Sequence, residues 1–260
     1  MICIEDYMEL LKADILVTWP RNTDYPLFRL WLEKNQDKYN KVIISWTGVE
    51  ENEIHKSIGY LLPPSKAVFV DAERSDEYAD DWRNAATNSG LDASESEWVW
   101  FLEPDFFMDT DMPYVLSDAM KTNNCIGFYE ANRLHPACLL IKRDIVEKTK
   151  RNFSANHDRQ LDHFCMFTEE VENVCTPTTL QSLDVSYYHM QGITHNYSLL
   201  RQGEKIGYKP DEFYLYNQKC LELQPKQCIF FQEIMEKIER ERPEIDYQNT
   251  VHLYNLIEQI

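Results

Sequence analysis

The stretch EWVWFLEPDFF, residues 97–107, decides how the chain reads. Trp98 to Leu102 is an unbroken apolar run; Glu103, Pro104 and Asp105 end it, and Phe106 and Phe107 follow. Five apolar residues without polar alternation predict a strand buried on both faces, the kind found in parallel sheets covered by helices. Two carboxylates one residue apart at the end of such a strand are costly. Each disfavours ionisation of the other, and burial adds a desolvation penalty. A divalent cation removes both costs, because magnesium or manganese takes one or two carboxylates, several waters and the oxygens of a substrate phosphate. Proline between the acids bends the backbone away from helix and holds Asp105 in the loop. The plain alternative is a solvated loop with two ordinary acids. Position favours the site, since ligands of open α/β sheets gather at the carboxyl ends of strands.

The same alternation runs upstream. ADILVTW (13–19), KVIISW (41–46) and AVFVDA (67–72) read as buried strands, and EWVWFL as the fourth. DYPLFRLWLEKN (24–35) reads as a helix, with Pro26 early and Phe28, Trp31 and Leu32 on one face. DDWRNAATNSGL (80–91) is a second helix, with acids at its start and Gly90 near its end. The acidic EENEIHKSIGYL suits a short helix. Downstream the pattern changes. TDMPYVLSDAMK (110–121) and DRQLDHFCMFTEEVENV (158–174) predict helices; CIGFYE (125–130) and ACLLIK (137–142) predict an antiparallel pair; LDVSYYH (183–189) predicts a last strand. Two amphipathic segments, 225–241 and 248–259, flank Pro243. The expectation is an α/β fold over residues 1–200: a mainly parallel sheet sandwiched by helices, with a smaller antiparallel addition. A helical C-terminal extension, 201–260, would pack on it.

Composition narrows the function. A net charge of −18 repels phosphate backbones and disfavours nucleic-acid binding. The seven cysteines (3, 125, 138, 165, 175, 220 and 228) form no CxxC pair and read as reduced packing thiols. No transmembrane run and no signal-peptide pattern stand out, so a cytoplasmic location is expected. Only seven glycines occur, with neither GxGxxG nor a P-loop, so the glycine devices of dinucleotide and P-loop sites are missing.

The order ILVTWPRN, VIISW, VFVDAE, DDWRNAATNSGL, EWVWFLEPDFF resembles glycosyltransferases of the A fold, in particular the large family-2-like group with an Arg-Asn helix and an acid-x-acid motif. The resemblance covers roughly residues 13–195. It implies a metal-dependent glycosyltransferase taking a UDP- or GDP-linked sugar donor to a glycan or other hydroxyl acceptor, with Mn2+ or Mg2+ as cofactor. By position it makes Asp105 the metal ligand, with Glu103 beside it at the ribose or a metal-bound water. Arg83 would lie near the diphosphate, and the loop Thr18–Asn22, including Arg21, would hold the base. The motif here is Glu-Pro-Asp rather than Asp-x-Asp. Where the group commonly has an acid after the second strand this chain has SWTG, so Trp46 would stack on the base, or Asp71 would substitute. For an inverting transfer the resemblance implies a base near the start of the 158–174 helix, either Asp162 or Asp158. A further metal ligand would be His189, directly after the last strand, or His195.

Each has a structural alternative: acids near a helix start complement its dipole, and histidines pack and hydrogen-bond. His135, before Pro136, reads as a turn former. Nucleotidyl transfer on a related core would want a glycine-rich loop that TWPRNTDYP lacks. Glycoside hydrolysis needs two carboxylates facing each other across a bond, which neighbours at a strand end seldom do. A nucleotide-sugar-binding or catalytically inactive adaptor of the same fold is the remaining alternative.

Overall fold

The structure, a computed structural model, describes residues 11–18, 26–46, 62–72, 82–109, 112–130, 133–156, 159, 163–189 and 233. The expected 225–241 and 248–259 helices, the EENEIHKSIGYL segment, Arg21, Asp158, Asp162 and His195 lie outside the described residues, as does the rest of the expected extension apart from Glu233.

Seven strands form one sheet in the order β3-β2-β1-β4-β7-β6-β8. Strands β1 (Leu11–Thr18), β2 (Tyr39–Trp46), β3 (Ala67–Asp71) and β4 (Trp98–Leu102) run parallel. The chain therefore moves outward from β1 to β3, then returns to place β4 on the other side of β1. This reversal is the topological switch point at which α/β sheets hold ligands. Strand β7 (Arg133–Lys142) pairs antiparallel with both β4 and β6 (Cys125–Glu130), and the short β8 (Thr178–Thr179) pairs parallel with β6.

The apolar runs are explained by two cores, one on each face. Ile15, Val17, Ile44, Trp98, Trp100 and Leu102 face one side, where Phe28 and Trp31 of α1 (Pro26–Lys34) and Met112 and Leu116 of α3 (Met112–Met120) cover them. Leu16, Ile43, Val99, Phe101 and Ile141 face the other. There they meet Leu91 of α2 (Trp82–Ala93), Phe153, and Phe167 and Val171 of α5 (Cys165–Val174). Period-two alternation with both faces buried is why the runs 15–17, 42–44 and 98–102 carry no polar residue. Gly90 lets α2 lie close to the sheet: a Cβ there would sit 2.4 Å from Leu16 Cδ1 and 2.9 Å from Ser45 Oγ. A one-turn helix, α4 (Arg143–Val146), follows β7.

Three expectations change. The 158–174 helix starts only at Cys165, because Phe164 takes a left-handed conformation (φ 66°) that places its ring against Phe101 and Phe153. Asp158 and Asp162 precede this start and lie outside the described residues. The last strand is confined to β9 (Tyr187–His189) and leaves the main sheet, pairing antiparallel with β5 (Phe106–Met108), a strand unforeseen after the acidic motif. Trp31 Nε1 donates to the Met108 carbonyl (2.6 Å) and ties this small sheet to α1. Finally, β7 begins four residues before the predicted Ala137 and carries an irregularity: Gly127 faces Leu139, but Phe128 faces His135.

Candidate metal centre

The Glu103-Pro104-Asp105 segment is a tight turn. Phe106 N–H donates to the Glu103 carbonyl (3.1 Å), and proline occupies the second position, where its fixed φ suits the turn. Glu103 N–H donates to the Ala137 carbonyl (3.0 Å), so the turn leaves β4 while still attached to β7. Beyond it, β5 pairs with β9 so that Phe106 lies opposite His189. This pairing is what carries His189 across some 80 residues of sequence to Asp105: His189 Nε2 lies 3.8 Å from Asp105 Oδ1.

Glu103, Asp105 and His189 each offer a ligand atom, and all three atoms lie within 4.8 Å of one another. Two carboxylates and an imidazole are a donor set suited to manganese and related divalent ions. Both Asp105 and His189 side chains are only 10% exposed. Burial pushes the Asp105 carboxyl up to about 6; the Glu103 charge adds to the rise, while His189 and Arg83 oppose it. A buried carboxyl that ionises with difficulty by itself is one that a bound cation would stabilise.

Arg83, in the first turn of α2, reaches Glu103 Oε1 at 3.7 Å. Thr18, at the carboxyl end of β1, shares a hydrogen bond with Thr87 (2.8 Å), whose hydroxyl donates to the Arg83 carbonyl (2.7 Å). Thr18, Arg83, Glu103, Pro104 and Pro136 line one crevice at the β1/β4 switch point. Asn84, beside Arg83, accepts from Phe153 N–H (2.9 Å) and secures α2 to the segment before α5.

Asp71 is exposed at the end of β3, three strands from β4 and so about 15 Å away in the sheet. Trp46 needs correction: it is 1% exposed and its ring packs edge-on against Phe69 in the core, so it offers no face for a base to stack on. A strand ending at Trp46 points its side chain into the apolar layer, and the sequence pattern alone did not reveal which layer.

Two residues absent from the sequence-derived set join the site. Glu130, at the end of β6, approaches His189 Nδ1 (3.9 Å), and His135 Nε2 approaches Glu130 (3.4 Å). His135 arrives there through the β7 irregularity, which also accommodates Pro136 in a strand. The signal in the sequence was that proline: inside a strand pattern it demands a bulge, and bulges re-aim side chains.

No family model matches the chain, and no curated protein matches it significantly. Solved structures do match in shape. A mannosyltransferase from Pyrobaculum calidifontis, in complex with GDP-Man and Mn2+, is 14% identical at a TM-score of 0.48, over 86% of this chain and 68% of that one. Glucosyl-3-phosphoglycerate synthase from Mycobacterium tuberculosis, in complex with Mn2+, UDP and phosphoglyceric acid, is 9% identical at 0.45, over 75% and 80%. S. aureus TarS 1–349 is 10% identical at 0.44, over 92% and 77%. Two further matched chains are spanned over only 55% and 59% of their length.

Proposed function

We propose that the chain is a metal-dependent glycosyltransferase that takes a sugar from a UDP- or GDP-linked donor to a hydroxyl acceptor. One observation carries this reading: Glu103, Asp105 and His189 converge within 4.8 Å at the carboxyl end of β4, beside Arg83 and the β1/β4 switch point. A donor set of that kind, next to a fixed guanidinium, suits a divalent cation that shares its coordination sphere with a diphosphate.

Asp105 and His189 would hold Mn2+ or Mg2+, with Glu103 as a third ligand or as acceptor for a metal-bound water or the ribose. When bound, the ion supplies charge neutralisation for the departing nucleoside diphosphate. Arg83 would orient the same diphosphate; its planar fork matches phosphate oxygens. Thr18, with Arg21 in the loop beyond it, would face the nucleoside, and Asp71 is the acid that remains available near the base or ribose. In the transfer the bond from the anomeric carbon to the diphosphate oxygen breaks, and a bond to the acceptor oxygen forms. The acceptor's proton then goes to a base, for which Asp162 or Asp158 is proposed. A cytoplasmic setting belongs to the same reading; Cys125, Cys138 and Cys175 form no disulfide among the described residues. Among the described residues no helix is long and apolar enough to cross a membrane.

Calorimetry with UDP and GDP, with and without Mn2+, followed by measurement of nucleoside diphosphate release from a panel of nucleotide-sugars, tests the reading. Metal-dependent binding with release is expected. Binding without release would leave a nucleotide-sugar-binding adaptor, and absence of binding with either nucleotide would reject the proposal.

A further inference from the structure

The two nitrogens of His189 face two different carboxylates. Nε2 is directed at Asp105 (3.8 Å) and Nδ1 at Glu130 (3.9 Å). The ring cannot easily turn, because Phe106 (5.8 Å), Phe128 (5.5 Å) and His135 (5.2 Å between ring centres) pack around it. Nδ1 is buried and makes no hydrogen bond among the described residues, which is costly for a polar atom in the interior. The Glu130 carboxylate lies 3.9 Å from it. Its side chain is 32% exposed, so it can move the roughly 1 Å that separates 3.9 Å from a hydrogen bond.

Glu130, His135 and His189 themselves place three ligand atoms within 4.8 Å and so could be read as a separate metal site. The hydrogen bonding of His135 argues otherwise. Its Nδ1 accepts from Ala137 N–H (3.1 Å), which leaves the proton of the neutral ring on Nε2, the atom facing Glu130. A nitrogen that carries a proton is a donor to a carboxylate, not a metal ligand. The same Ala137 receives the Glu103 N–H on its carbonyl, so the bulge links the acidic turn to His135 through one residue.

We infer that Glu130 and His135 are positioning residues for His189: His135 Nε2–H holds the Glu130 carboxylate, Glu130 accepts the Nδ1 proton of His189, and Nε2 of His189 is thereby left bare toward Asp105. Histidines that ligate metals are commonly oriented by such a carboxylate on the far nitrogen, which sets the tautomer and raises ligand basicity. This rests on the metal-binding reading proposed above, but the tautomer can be read without metal.

Nitrogen-15 NMR of the histidines in the metal-free full chain, at about pH 8 where ordinary imidazoles are neutral, reports the tautomer. It is compared in wild type, Glu130→Leu, Glu130→Asp and His135→Phe, and Mn2+ binding is titrated in each. Expected are an Nδ1–H tautomer for wild-type His189, a shift toward Nε2–H in Glu130→Leu, and about 10–100-fold weaker Mn2+ binding in that variant. Glu130→Asp should recover part of both, and His135→Phe, which keeps the ring packing, should lose less than Glu130→Leu. An Nε2–H tautomer in wild type, or unchanged tautomer or Mn2+ affinity in Glu130→Leu, overturns the inference. So does Mn2+ binding that survives Asp105→Ala but not Glu130→Leu, since the ion would then sit between Glu130 and the histidines. If wild type binds no Mn2+ yet the tautomer follows Glu130, the proposed function fails while the orientation of His189 by Glu130 stands.

Discussion

Asp105 is the buried acid of the Glu103–Asp105–His189 cluster. Its side chain is 10% exposed, and its carboxyl is lifted to about 6, first by burial and then by Glu103. Because the folded value lies above the ordinary 3.8, the folded state binds the proton more tightly than the unfolded chain does. Stability from this group is complete below 3.8 and is lost as pH rises through about 6. Asp105→Asn should therefore raise the thermal midpoint at pH 8 and leave it nearly unchanged at pH 4, as read by calorimetric melting without metal. Divalent-ion affinity should run the opposite way. Below about 6 a proton competes with the cation, so Mn2+ binding should weaken by up to about tenfold per pH unit in wild type. Titration at stepped pH checks this. Arg83 sits one ionic contact away, 3.7 Å from Glu103. Losing a charge-assisted contact to phosphate costs about 1.5–3 kcal/mol, so Arg83→Ala should weaken Mn2+-dependent UDP or GDP binding roughly 10–100-fold. Calorimetry should show the protein otherwise folded.

At the level of elements, α2 and β7 do most to shape the site. Helix α2 must lie against β1 and β2 closely enough to present Arg83 to Glu103, and Gly90 makes room for that approach. Gly90→Ala would push a methyl into Leu16 and Ser45. It should cost about 1–3 kcal/mol in urea unfolding, as overpacked cores do. Asn84 fixes the other side of the helix by accepting Phe153 N–H. Asn84→Ala leaves that buried donor unsatisfied, so a loss of about 1–3 kcal/mol is expected in the same assay. Strand β7 bridges the two halves of the sheet, antiparallel to β4 and to β6. Its bulge at Pro136 places His135 with Glu130 instead of continuing a flat ladder. In sequence the histidine-proline pair reads as a turn. A proline within a strand needs the same local departure, and the departure re-aims the residue before it.

For the whole molecule, the parallel half-sheet and its two covering layers were legible because both faces of β1, β2 and β4 are buried. Their central runs, 15–17, 42–44 and 98–102, are then apolar, a pattern that survives any detail of packing. The charge of −18 is also a property of the entire chain. Self-repulsion opposes the compact state and is screened by salt within a Debye length of about 8 Å at physiological ionic strength. Raising NaCl from about 10 mM to about 200 mM should therefore raise the thermal midpoint, and a flat response would show that the charges are already compensated locally.

The order of strands and helices, the acidic turn after β4 and its two carboxylates follow from sequence, because each is set by local composition: apolar runs, a proline, neighbouring acids. Which histidine meets Asp105, and that Glu130 and His135 stand behind it, does not. Those contacts depend on β5 pairing with β9, which joins residues far apart in the chain through backbone hydrogen bonds, and on a bulge in the β6–β7 pair, which decides which side chains of the two strands meet. Trp46 shows the same division. Its place at a strand end was readable, but the layer its ring enters was decided only when β2 packed against β3 and the core closed over it.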